Sequence, residues 1–164
     1  MRIEKYSFEF EEYDSIDELT SDDALLVAGA RKATALAYAP YSKFKVGAYA
    51  KLKNGEYIVG SNQENASYPV GICAERALLA SVSQLFPDVA IETMAISYNN
   101  LNSNMESNKP LSPCGMCRQA LQEYESRFNA PIRLILSGLE GKVLVIKQAT
   151  MLLPFSFKGE DLGG

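Results

Sequence analysis

The chain has 164 residues, 47% hydrophobic and 22% charged, a balance that suits one globular domain with a real core and excludes global disorder. Its net charge of −4 argues against a nucleic-acid surface, and no apolar run reaches the length of a membrane span. Histidine is absent, which excludes His-based triads, His general bases and every zinc site built on imidazole.

Residues 1–20 read as an acidic N-terminal extension and 21–164 as the folded domain. The first thirty residues carry no signal-type apolar region, so the expected location is the cytoplasm. Within the extension Tyr6, Phe8 and Phe10 alternate with polar neighbours. That period of two suits a short strand or packed arm as well as it suits a partly ordered tail. Thr20 and Asp23 resemble a capping box for a helix running to Ala39, with Leu25, Leu26, Ala33 and Leu36 among its apolar positions and Pro40 as its stop. A strand follows over residues 45–52, then the hairpin signal Asn54-Gly55 and a return through Tyr57, Ile58 and Val59.

An irregular polar segment, 61–71, leads into the first cysteine. After Cys73, Ala77, Leu78, Leu79, Val82 and Leu85 recur with helical spacing until Pro87. Residues 89–98 read as a buried strand, and 99–112, rich in Asn and Ser, as a surface loop. After Cys114, Ala120, Leu121, Tyr124 and Phe128 mark a second helix that ends at Asn129-Ala130-Pro131. Residues 132–136 and 143–146 are strands around a glycine-bounded turn, and Leu152-Leu153-Pro154 closes a short turn before the tail. No internal repeat and no second domain is evident. The alternation predicts a mixed sheet with helices on both faces.

All three cysteines fall at the openings of the two central helices, in Cys73-Ala74-Glu75-Arg76 and Pro113-Cys114-Gly115-Met116-Cys117-Arg118. Thiols at helix N-termini face free N–H groups and the positive end of the dipole, which favours thiolate. Three thiolates can hold zinc by three corners of a tetrahedron and leave the fourth open, as a catalytic zinc requires. Glu75, two residues after the first ligand, is the nearest candidate to move protons for the water such a metal activates. A C-x-x-C at a helix start also suits a thiol–disulfide exchanger. Cys-Ala-Glu upstream shifts the weighing, because zinc nucleobase deaminases pair a ligand-x-Glu with Pro-Cys-x-x-Cys and admit three cysteines.

The match extends further. Ala39-Pro-Tyr-Ser-Lys-Phe-Lys-Val-Gly-Ala48, Asn62-Gln-Glu-Asn-Ala-Ser-Tyr68, Gly71-Ile-Cys-Ala-Glu-Arg76, Pro113-Cys-Gly-Met-Cys-Arg-Gln119 and Leu152-Leu-Pro-Phe-Ser-Phe157 stand in one order along the chain. In these blocks, from about residue 24 to 162, the sequence resembles the small homotetrameric cytidine deaminases that act on free nucleosides. The resemblance implies a three-layer α/β/α sandwich around a mixed five-stranded sheet. It assigns Cys73, Cys114 and Cys117 to Zn²⁺ and Glu75 to proton transfer. Three thiolates on Zn²⁺ leave a net −1, and Arg76, directly after Glu75, is the candidate to donate to the ligand sulfurs and offset that charge. The resemblance sets Asn62 and Glu64 against the ribose 3′-hydroxyl, the Ala74 backbone against the pyrimidine, and Phe44 beside the base. Phe157, with Phe155 as second candidate, would close the pocket of a neighbouring subunit in a homotetramer with shared active sites.

The reaction so implied is hydrolytic deamination of cytidine and 2′-deoxycytidine in pyrimidine salvage, with a small nucleoside as partner and no nucleic acid or membrane. A deaminase of another cytosine nucleoside and a thiol oxidoreductase are the rivals. The first twenty residues lie outside the resemblance, the 99–112 loop is longer than usual, and Gln63 and Ala77 depart from the common residues.

Overall fold

The computed structural model of the chain describes residues 1–102 and 105–163. Ser103 and Asn104 of the long polar loop, and Gly164, lie outside the described residues. One mixed sheet organises the molecule. In chain order its strands are β1 (Glu11–Tyr13), β2 (Phe44–Leu52), β3 (Tyr57–Ser61), β4 (Ile91–Asn100), β5 (Arg133–Ser137) and β6 (Val143–Ile146), arranged in space as β1-β6-β5-β4-β2-β3. Every neighbouring pair is antiparallel except β4 and β5. The sheet therefore has six strands rather than the expected five. The extra one is β1, whose Glu11, Glu12 and Tyr13 pair with Val145, Leu144 and Val143 along what would otherwise be a free edge.

Three helices cover the sheet: α1 (Ser21–Ala33), α2 (Ala74–Leu85) and α3 (Gly115–Phe128). Strand periodicity decides which face each one meets. Ala48, Ala50, Leu52, Met94, Ile96, Leu134 and Leu136 point to one side, where they form a core with Leu78 and Val82 of α2 and Leu121 and Tyr124 of α3. Ala95, Ile135, Val143 and Val145 point to the other and meet Leu26, Val27 and Ala30 of α1. The result is the expected α/β/α layering.

α1 begins where the capping box places it, with Thr20 Oγ1 accepting from the Asp23 N–H at 3.3 Å. It ends earlier than the expected Ala39. A 3₁₀ turn covers Thr34–Leu36, and the chain then extends so that the Tyr38 N–H reaches the Asn62 carbonyl at 3.0 Å. The hairpin turn is at Asn54-Gly55, where Gly55 adopts φ +89°, a left-handed conformation open to glycine without steric cost.

β3 and β4 run in the same direction, since both are antiparallel to β2. α2 follows β3 and α3 follows β4, so both helix openings lie at the same edge of the sheet, beyond the carboxyl ends of their strands. Gly60 makes the first of these junctions close. A Cβ there would stand 2.4 Å from the Ala74 carbonyl oxygen and 2.7 Å from Leu78.

Candidate active site

Cys73 and Cys114 are the N-caps of α2 and α3, both with extended backbone and neither using its side chain as a cap. Cys117 lies one turn into α3 and is fully buried. Convergence of the two helix starts brings Cys73 Sγ to 3.8 Å from Cys114 Sγ, and Cys114 Sγ to 3.4 Å from Cys117 Sγ. All three sulfurs lie within 4.8 Å of one another. Zn–S bonds of about 2.3 Å at tetrahedral angles put sulfurs about 3.8 Å apart, so the donor set fits zinc. The three cysteines are the whole of this metal-capable group among the described residues. That leaves one tetrahedral corner for water or substrate.

The electrostatics agree with a metal-ligating cluster. The Cys73 thiol is lowered to about 6, chiefly by a hydrogen bond from Cys117, with help from the Cys114 thiol and the Arg76 charge. Cys117 is pushed up by that same bond and by burial. Hydrogen bonding within the cluster thus favours thiolate at Cys73, and a divalent metal would displace the protons that remain. Glu75, 4% exposed in the first turn of α2, has its carboxyl raised by burial. Ala74 between them is completely buried.

Beside Cys73 the chain from Asn62 to Glu64 is held on both sides. Gln63 exchanges backbone hydrogen bonds with Ile72 at 2.9 and 3.0 Å, and the Glu64 N–H donates to the Tyr38 carbonyl at 2.8 Å. Asn62 extends the sheet with its amide: Oδ1 accepts from the Val46 N–H at 2.7 Å, and Nδ2 donates to the Phe44 carbonyl at 2.9 Å. Glu64 Oε2 accepts from the backbone N–H groups of Tyr41 at 2.9 Å and Ser42 at 3.2 Å. The Ser42 hydroxyl, followed by these amides, holds the Glu64 carboxyl below its ordinary value. A cavity of about 500 Å³ opens here, with Asn62, Glu64 and Cys73 in its wall together with Tyr41, Tyr68 and Met116. That is room for a nucleoside-sized molecule.

Sequence reasoning did not single out those last three. Met116 is one of the two residues enclosed by the C-x-x-C pair, with Gly115, and it is exposed in the first turn of α3. Arg118 was missed too. Its guanidinium bonds the Pro113 carbonyl at 2.9 Å, the Leu152 carbonyl at 3.0 Å and Ser112 Oγ at 3.2 Å, fixing the loop that presents Cys114.

Of the expected site residues, Asn62, Glu64 and Cys73 line this cavity, whereas Ala74, Glu75, Arg76, Cys114, Cys117 and the three phenylalanines Phe44, Phe155 and Phe157 are not in its wall. Phe44 stacks on Tyr98 with ring centroids 4.9 Å apart. Phe157 is 56% exposed, held by a 2.8 Å bond from Gln119 Nε2 to its carbonyl. Phe155 is 99% exposed and borders a different, larger cavity of about 640 Å³ between α3 and the C-terminal segment, which contains none of the cysteines.

A family model described as the cytidine and deoxycytidylate deaminase zinc-binding region matches residues 20–129, which takes in both cysteine clusters. The chain belongs to this family. It is 38% identical over 143 residues to a cytidine deaminase of Halalkalibacterium halodurans, spanning 86% of this chain and 98% of the relative. To one of Sporosarcina psychrophila it is 35% identical over 139 residues, or 84% and 92% of the two chains. The solved structure of the cytidine deaminase from Burkholderia pseudomallei matches with a TM-score of 0.70 at 34% identity, covering 85% of this chain and all of that one. As a member of the zinc deaminase family the chain is a hydrolytic enzyme, and zinc is its metal. No helix among the described residues is long and apolar enough to cross a membrane.

Proposed function

We propose that the enzyme deaminates cytidine and 2′-deoxycytidine to uridine and 2′-deoxyuridine with release of ammonia, a step of pyrimidine salvage. The observation that carries this reading is the joining of two sites. The wall of one cavity contains Cys73, a member of the three-cysteine group, and two polar residues, Asn62 and Glu64, suited to a sugar.

In this reading Cys73, Cys114 and Cys117 hold the metal through thiolates. Zinc bound there supplies Lewis acidity and makes water a usable nucleophile near neutral pH. Glu75 takes one proton from the attacking water and delivers it to N3 of the cytosine ring, then takes the second from the hydroxyl newly attached at C4 and delivers it to the departing amino group. The carboxylate is regenerated, so water and cytidine become uridine and ammonia with no other reactant. Arg76 offsets the net negative charge of three thiolates on a divalent ion. Asn62 and Glu64 bind the ribose 3′-hydroxyl, the Ala74 backbone meets the pyrimidine, and Phe44 sits beside the base. Phe157 completes the site of a neighbouring subunit within a homotetramer.

The test follows ultraviolet absorbance and ammonia release from cytidine, 2′-deoxycytidine and other cytosine nucleosides. Each is assayed before zinc chelation, after it, and after zinc is returned. Turnover of both named substrates, lost and regained with zinc, is the expected result. Turnover confined to a different cytosine nucleoside would overturn the substrate assignment and leave the deaminase assignment standing.

A further inference from the structure

Among the described residues, the long polar loop after β4 meets the substrate side of the molecule at Leu101 and Asn102. Asn102 Nδ2 donates to the Ser42 carbonyl at 2.8 Å, and the Leu101 N–H donates to the Lys43 carbonyl at 2.9 Å. The amide is aimed by its neighbour, since Asn100 Oδ1 accepts from both the Asn102 N–H at 3.1 Å and Nδ2 at 2.9 Å. A buried residue of the same loop, Ser107, anchors it to the sheet. Its Oγ accepts from the Asn100 N–H at 2.8 Å and its carbonyl accepts from the Leu139 N–H at 2.7 Å. The loop thus ends in a fixed donor rather than a loose one.

What it grips is a strained turn. Lys43 has φ +55°, in the left-handed region that a side chain with a Cβ rarely adopts. Such a conformation persists when surrounding contacts over-determine it. Ser42, one residue earlier, is the node of those contacts. Its N–H donates to Glu64, its Oγ accepts from the Phe44 N–H at 3.0 Å, and its carbonyl takes the Asn102 amide. The Tyr41 and Ser42 N–H groups that fix the Glu64 carboxylate belong to this turn.

We infer that Asn102 is a positioning residue for nucleoside binding, which braces the 41–43 turn so that its amides hold the Glu64 carboxylate toward the sugar. The inference rests on the proposed contact between Glu64 and the ribose 3′-hydroxyl. Asn102 lies outside the cavity wall, so its effect on the sugar passes through Ser42 and Glu64. Binding energy at the 3′-hydroxyl is at stake and proton transfer at the base is not. Loss of the brace therefore raises KM and leaves kcat in place.

The experiment compares cytidine with 3′-deoxycytidine in the zinc-loaded enzyme and in Asn102→Ala. Asn102→Asp serves as a second variant that keeps the shape and removes the donor. One hydrogen bond's worth of positioning predicts a KM for cytidine higher by about 2- to 10-fold, with kcat, zinc content and Tm unchanged. The KM for 3′-deoxycytidine, which has no 3′-hydroxyl to lose, stays where it is. Met105→Ala, an exposed change in the same loop, leaves both KM values in place. A rise equal for both substrates, no rise at all, or the same rise in Met105→Ala would overturn the inference. If the parent enzyme does not prefer cytidine to 3′-deoxycytidine, the ribose role of Glu64 fails and the inference falls with it. If that preference is present and survives Asn102→Ala, the role of Glu64 stands and the brace alone is overturned.

Discussion

In the proposed mechanism Glu75 and Cys114 have separate tasks, proton movement and metal coordination. Glu75→Gln keeps the size of the side chain and leaves the three sulfurs untouched, so zinc content and fold are expected to persist. The amide cannot carry protons, a role worth about 10²–10⁴-fold, and turnover should fall by at least that range. Retention of more than a tenth of the activity would show that another group moves the proton. Cys114→Ala instead removes one of the three proposed metal donors, and metal affinity is linked to folding. Zinc measured after dialysis should be lost along with a lowered Tm; full occupancy would count against this ligand. Arg76→Gln belongs between these cases. It leaves zinc bound while activity drops, by about 10-fold or more if its charge tunes the ligand sulfurs. Unchanged activity would make it an ordinary helix arginine.

At the scale of elements, spacing made the helices and most strands legible. Apolar residues at helical intervals after Cys73 and Cys114 mark α2 and α3, and the proline and asparagine signals mark their ends. What spacing could not show is how Asn62 and Glu64 reach Cys73. That depends on non-local backbone pairing of Gln63 with Ile72 and of Tyr38 with Asn62 and Glu64. The same pairing shortened α1. Glu125 was invisible for a related reason, since a glutamate within an amphipathic helix reads as surface. It is 4% exposed, and its carboxylate accepts from the backbone N–H groups of Ile132 at 2.7 Å, Ala149 at 3.0 Å and Thr150 at 3.2 Å. It thereby ties α3 to the start of β5 and to the C-terminal segment. Glu125→Ala leaves the Ile132 and Thr150 N–H groups without this partner, at about 1 kcal/mol or more each, while the Ala149 N–H keeps the Ile132 carbonyl at 3.0 Å. A Tm lower by about 4 °C or more is expected, measured at fixed protein and zinc concentration. A shift within one or two degrees would show that water replaces the carboxylate.

At the scale of the whole molecule the two ends bear on different questions. The alternation of Tyr6, Phe8 and Phe10 suited a short strand or packed arm as well as a partly ordered tail, and strand pairing is found directly after it, at Glu11–Tyr13, where β6 offers an edge and Lys142 meets Glu12. The other end bears on assembly. Phe157 lies outside the 500 Å³ cavity of its own chain and is largely exposed, which supports its proposed place in a neighbouring subunit. If each active site takes Glu75 from one chain and Phe157 from another, homotetramers of Glu75→Ala and of Phe157→Ala are both impaired, for unrelated reasons. Unfolded together and refolded with zinc, they should regain activity, because some mixed sites receive both native residues. Random assembly in a closed symmetric oligomer makes about a quarter of the sites intact at both positions. Activity of the co-refolded mixture is compared with each parent refolded alone, and mixed tetramers are confirmed by mass. A gain places Phe157 across the interface. No gain in confirmed mixed tetramers would return it to its own subunit, and repeating the mixture with Phe155→Ala decides between the two aromatics.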